Sequence, residues 1–128
     1  MASWIPFEEG EYLTERSYLV ADDSRALALE DLIVEIKTDA RGEKYLRCRA
    51  RVQPAGIVEL HEEHDEFDLL IDFGHQFIFR MENPIMQGGK VFSREVTATV
   101  QIQPRGAWKP VAPEAFDKLV AGLEMVEL

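Results

Sequence analysis

A single cysteine, Cys48, stands in this chain of 128 residues. No disulfide can close within it, and a reducing, cytoplasmic setting is expected. Long apolar runs are missing too, since no uninterrupted stretch approaches the roughly 18 residues of a membrane-spanning helix. The opening MASWIPFEEGEY has neither a positively charged region nor a long apolar run, so no signal peptide is expected. Positive charge is the scarce sign, with 14 Lys and Arg against 24 Asp and Glu and a formal net charge of −10. Such a chain repels nucleic acid and anionic membranes and attracts a basic protein.

Catalytic signatures are absent. Ser3, Ser17, Ser24 and Ser93 sit in no nucleophile elbow, and no glycine-rich phosphate loop precedes a helix. Carboxylates are abundant but unspecific in so acidic a chain. No enzyme activity, catalytic residue or cofactor is therefore expected. There is no internal repeat, low-complexity tract or linker, and with 46% apolar residues the whole span 1–128 reads as a single globular domain.

What is present is alternation. Between Leu32 and His61, three alternating segments are separated by Ala40-Arg41-Gly42 and Pro54-Ala55-Gly56. Each is a three-residue loop with Gly third, where a type I turn plus bulge needs a left-handed residue. The first loop pairs Ile36 with Leu46, Val34 with Cys48 and Leu32 with Ala50, and the second pairs Val52 with Val58 and Ala50 with Leu60. Cys48 then points inward, a small buried hydrophobe with no His beside it on that face. Arg47, Arg49 and Arg51 line the other face. Read as a meander, Arg47 falls opposite Glu35 and near Glu63, Arg51 opposite Glu59, and Arg49 between Ile33 and His61. On that register the stripe is a self-neutralised surface and not a phosphate-binding one.

Elsewhere the pattern is plainer in some places than in others. Residues 1 to 16 show no dominant period and are expected to lie across the sheet with their aromatics buried. Tyr18 to Ala21 reads as a strand ended by Asp22-Asp23-Ser24, after which either a short helix capped by Ser24 or a strand carrying Leu27 and Leu29 fits. Phe67, Leu69, Ile71 and Phe73 share parity with Phe77, Phe79 and Met81, so a hairpin through Gly74-His75-Gln76 pairs Phe73 with Phe77, Ile71 with Phe79 and Leu69 with Met81. Asn83 to Gly89 is expected to be a loop, and a long strand is expected from about Lys90 to Gln103. Pro113 opens a C-terminal helix whose Phe116, Leu119, Val120 and Leu123 share one face, with Gly122, Glu124 and Glu127 fraying its end. The sum is a mainly β, α+β chain: a six- or seven-stranded antiparallel meander, either a partly closed PH-like barrel or a curved sheet, with one C-terminal amphipathic helix packed on it.

Function is sought where the core explains residues least. The densest charged run, His61-Glu62-Glu63-His64-Asp65-Glu66, follows the arginine stripe. Its His-x-x-His spacing lacks the zinc-protease template, and neighbouring ligands on a strand point to opposite faces, so metal binding is not the favoured reading. Ile85, Met86 and Trp108 are large apolar residues on expected loops, types enriched at interfaces. The leading expectation is a non-enzymatic binding module, of adaptor, inhibitor or immunity type. It docks a basic protein through Glu62, Glu63, Asp65, Glu66, Ile85, Met86 and Trp108. A barrel holding a small ligand or divalent metal, with Phe67, Ile71, Phe73, Phe77 and Phe79 around its cavity, is the alternative from another class, and a structural subunit of a larger assembly is the third.

Overall fold

The computed structural model describes residues 5, 7–74, 76–88 and 98–126. Along the chain run β1 (Gly10–Leu13), β2 (Arg16–Ala21), β3 (Arg25–Ala28), β4 (Glu30–Thr38), β5 (Lys44–Val52), α1 (Pro54–Glu63), β6 (Asp68–Asp72) and β7 (Ile78–Met81). They are followed by β8 (Ile85–Gly88), β9 (Ala98–Gln103), β10 (Lys109–Pro110), α2 (Pro113–Ala121) and β11 (Glu124–Met125). The strands form two sheets, a five-stranded one in the order β1-β4-β5-β9-β8 and a six-stranded one in the order β10-β7-β6-β2-β3-β11. Every pairing is antiparallel except β11 with β3.

One apolar core lies between the sheets. Val34, Ile36, Leu46, Cys48, Ala50 and Ile102 reach it from the five-stranded sheet, and Leu19, Leu27, Leu69, Ile71 and Met81 from the six-stranded one. Because the six-stranded sheet is buried on both faces, β6 carries three consecutive buried apolar residues, Leu69, Leu70 and Ile71, between Asp68 and Asp72. Its outer face, with Val20, Ala26, Leu70 and Ile78, receives the fully buried Phe116 of α2. Leu119, Val120 and Leu123 pack around the same cluster, as their spacing predicts. The helix ends at Gly122, and β11 follows it.

Two hairpins keep their expected register. Ile36 faces Leu46 and Val34 faces Cys48. The loop between them is closed by Asp39, whose Oδ1 accepts the Arg41 and Glu43 amides at 2.8 and 3.0 Å, with Gly42 at φ 79°. At the other hairpin Leu69 faces Met81 and Ile71 faces Phe79, and the Phe73 amide donates to the Phe77 carbonyl. Gly74, first in that loop, sits at φ 88°, and a Cβ there would stand 2.8 Å from the Glu15 carboxylate. Phe77 itself is exposed. Of the two readings after Ser24, the strand is the one formed, with Leu27 and Leu29 buried.

Four expectations fail, each for a physical reason. Pro54 does not begin a hairpin turn but occupies the first turn of α1, where its missing N–H costs nothing. Gly56 and Ile57 donate to the Gln53 carbonyl at 3.0 and 3.4 Å. Val58 and Leu60 suggested a strand, yet the residues turned inward are Gly56, Ile57 and Leu60, a helical spacing, and Val58 is exposed. The far side of β5 is therefore taken by β9, with Ala50 opposite Val100 and Arg49 opposite Gln101. A bulge between Glu30 and Ile33, with Asp31 at φ 52°, removes the expected pairing of Leu32 with Ala50. Asn83 to Gly89 is not all loop, since Ile85 to Gly88 pairs with β9 despite its glycine.

No single meander or closed barrel forms. The chain crosses between sheets, through Thr14-Glu15 after β1 and through Leu29 alone after β3. Of the expected covering segment 1–16, residues 1–4 and 6 lie outside the described residues, and the rest does more than cover the sheet, because β1 pairs with β4 while Phe7 and Tyr12 pack against the core. Of the expected strand from Lys90, Ala98 to Gln103 is a strand with Val100 and Ile102 inward, and 89–97 lie outside the described residues.

Candidate protein-docking site

Helix α1 carries its charges against its own dipole. Its first turn has no acidic residue, whereas Glu59, Glu62 and Glu63 fall in its second half, near the negative end. The exposed Asp65 and Glu66 follow directly after His64, the residue that caps the helix in an extended conformation. The side chains of His61 and Glu63 lie outside the described set. Of the rest, Glu62, Asp65 and Glu66 are exposed and make no ion pair among the described residues.

A second acidic pair comes to this place from elsewhere in the chain. His64 Nδ1 lies 3.0 Å from Asp22 Oδ2, which joins the end of α1 to the turn between β2 and β3. In that turn both Asp22 and Asp23 have positive φ, 52° and 54°, a conformation that Asp tolerates better than most residues but that still carries strain. The Ser24 amide closes the turn on the Ala21 carbonyl at 3.1 Å. The Asp22 side chain is 79% exposed.

The nearby cations are already shared. Arg80 reaches Asp23 and Asp68, both at 2.6 Å. Partial burial is the largest single influence on its pKa and lowers it, but the hydrogen bonds to Asp23 and Asp68 more than reverse this, so its charge is secure. Arg25 pairs with Glu59 at 3.2 Å and stands 3.9 Å from Glu124. Two arginines, both largely covered, thus serve four carboxylates. The excess at this corner is negative: Asp22, Glu62, Asp65 and Glu66 meet solvent without a lysine or arginine partner among the described residues.

No protein-family model, curated protein or solved structure matches this chain. The reading of the site therefore stands on its geometry.

The apolar residues expected beside the acidic run are not brought to it. Ile85 and Met86 belong to β8, at the rim of the five-stranded sheet, with Met86 opposite Ile102 and packed against the core. Trp108 is buried, its ring stacked on Phe79 at 4.5 Å and edge-on to Phe7 and Phe73 at 6.0 Å. Phe73 and Phe79, two of the five residues that the barrel reading sets around a cavity, belong to this ring cluster, and Phe77, a third, is exposed. Asp22 and Asp23 were legible as a turn but not as part of this corner, because only tertiary contact between α1 and β3 unites them.

The arginine stripe also has partners other than those expected. Glu35 does face Arg47, at 3.4 Å, but it also takes Lys37 at 2.7 Å and Arg49 at 3.1 Å. The hydrogen bond from Lys37, with help from Arg47, holds its carboxyl below the usual range against the opposing effect of burial. Arg49 adds Glu11 at 3.2 Å and Arg51 reaches Asp31 at 3.4 Å. Glu59, Glu63 and His61 are on α1 and face none of them across a strand pair. Among the described residues no group of three or more His, Cys, Asp and Glu could hold a metal ion, and no helix is long and apolar enough to cross a membrane.

Proposed function

We propose that this chain is a non-catalytic docking module that takes a basic protein partner at the acidic corner formed by the end of α1 and the turn between β2 and β3. One observation supports this above the rest. Glu62, Asp65 and Glu66 are exposed and have no ion-pair partner among the described residues, and they lie where the dipole of α1 disfavours them. A solvated surface gains nothing from that placement. A patch that meets lysines and arginines on another protein does, and it also steers their approach.

The contact is made mainly by charge, since the apolar residues once grouped with it lie in the core or at the rim of the other sheet. Affinity capture from host extract, read by mass spectrometry, tests the proposal. Wild type should retain a basic protein that a Glu62→Lys, Asp65→Lys, Glu66→Lys variant fails to retain while unfolding at no lower a temperature. Retention of the same partners by both proteins would reject the assignment.

A further inference from the structure

A cleft of about 310 Å³ opens at another part of the surface, where the start of β5 meets the end of β9. Tyr45, Arg47, Gln103, Pro104 and Arg105 are among its lining residues, and among the described residues no carboxylate lines it. That is unusual in a chain with 24 Asp and Glu, and it goes beyond the docking role proposed above.

Arg105 is held but not neutralised. Its Nε donates to the Asn83 carbonyl at 2.8 Å, which fixes the guanidinium plane. A guanidinium has five N–H donors, so the four on its Nη atoms remain without a partner among the described residues. Arg47 is only partly compensated, because the one carboxylate it reaches among the described residues, Glu35 at 3.4 Å, is bound more closely by Lys37 and Arg49. Two guanidinium groups thus border one cleft with donors to spare, a geometry suited to bidentate capture of an oxyanion. The Gln103 amide adds a further donor, and the Tyr45 ring with Pro104 gives an apolar wall. The volume falls at the small end of the range for ligand sites.

We infer that this cleft binds a small organic oxyanion, with Arg47 and Arg105 holding its phosphate or carboxylate group and Tyr45 covering its apolar part. Of the carboxylates that the sequence places against the stripe, Glu35 stays opposite Arg47, and α1 carries Glu59 and Glu63 away.

The test is a heteronuclear NMR titration of the full chain with phenyl phosphate and, separately, benzoate, each to about 10 mM, a range that captures any Kd of a millimolar or below. Saturable shifts at the Tyr45, Gln103 and Gly106 amides are expected. Arg105→Gln or Arg47→Gln should weaken binding about tenfold, and Arg51→Gln, on the same strand but outside the cleft, should not. Tighter binding of phenyl phosphate assigns a phosphate ligand, and tighter binding of benzoate a carboxylate. Linear, unsaturated shifts with both probes would overturn the inference, as would saturable binding that Arg47→Gln leaves unchanged. Arg47→Gln alone decides should loss of the Asn83 contact unfold Arg105→Gln.

Discussion

Two buried or half-buried groups set the pH behaviour of this molecule at the residue scale. Burial pushes the Cys48 thiol up to about 12 from an ordinary value of 9.0. The folded state therefore favours the protonated thiol, and the stability this gives is present below pH 9 and lost as pH rises from there towards 12. A thiol reagent at pH 8 should label the protein only through global unfolding, so the labelling rate should follow added denaturant and stay near zero without it. Fast labelling of the native protein would show that Cys48 is reachable. Glu35 works in the opposite sense. Its carboxyl is held below 4.5, chiefly by Lys37, so its contribution is present above that pH and is lost as the pH falls through the lowered value. Glu35→Gln should lower the urea midpoint at pH 7, and the difference from wild type should shrink in acid. An equal difference at pH 7 and at pH 3 would assign the effect to packing instead.

Single elements carry the clearest conflict between stability and use. Reversing the charge of Glu62 places a lysine at the negative end of α1, which should stabilise the fold by about 0.5–1 kcal/mol in a urea melt at low salt. A lower midpoint would mean that Glu62 has a structural partner. In α2, Phe116 is fully buried and carries the Arg16 guanidinium 4.8 Å above its ring, so Phe116→Ala should cost about 3–5 kcal/mol. Loss should start with α2, whose amide exchange would rise before that of β5. Elements were legible in proportion to their local evidence. Gly42 and Gly74 mark turns by their own chemistry, and parity then fixes both hairpins, whereas the part Asp39 plays in closing the first turn came only with the structure. Pro54-Ala55-Gly56 offered a turn as good as the first on sequence alone, because Pro suits both the second position of a turn and the first turn of a helix. Two alternating residues, Val58 and Leu60, were too few to separate a period of 2 from one of 3.6.

At the scale of the whole molecule, alternation tells which face of a strand is buried but not which strand lies beside it. Once α1 replaced the third strand, β9 took its place against β5, the arginine stripe lost Glu59, Glu63 and His61 from its expected neighbours, and a meander became two sheets. The acidic run was visible as a charged segment. Its meeting with Asp22 and Asp23, and the separation of Ile85, Met86 and Trp108 from it, depend on contacts between distant segments that no local pattern encodes. What results is a molecule of net charge −10 whose surplus is uneven: carboxylates gather at the end of α1 without a lysine or arginine partner among the described residues, while the outer face of the five-stranded sheet holds most of its charge in ion pairs. The uneven layout makes a prediction about salt, because attraction across a docking interface between exposed charges is screened within about 8 Å at physiological ionic strength. The most direct measurement is the Kd of the captured partner as a function of salt, for wild type and for the Glu62→Lys, Asp65→Lys, Glu66→Lys variant. Wild-type binding should weaken steeply as salt rises, chiefly through a slower association rate, and the variant should bind weakly at every salt concentration. Equal affinities for the two proteins, or binding indifferent to salt, would contradict docking at the acidic corner.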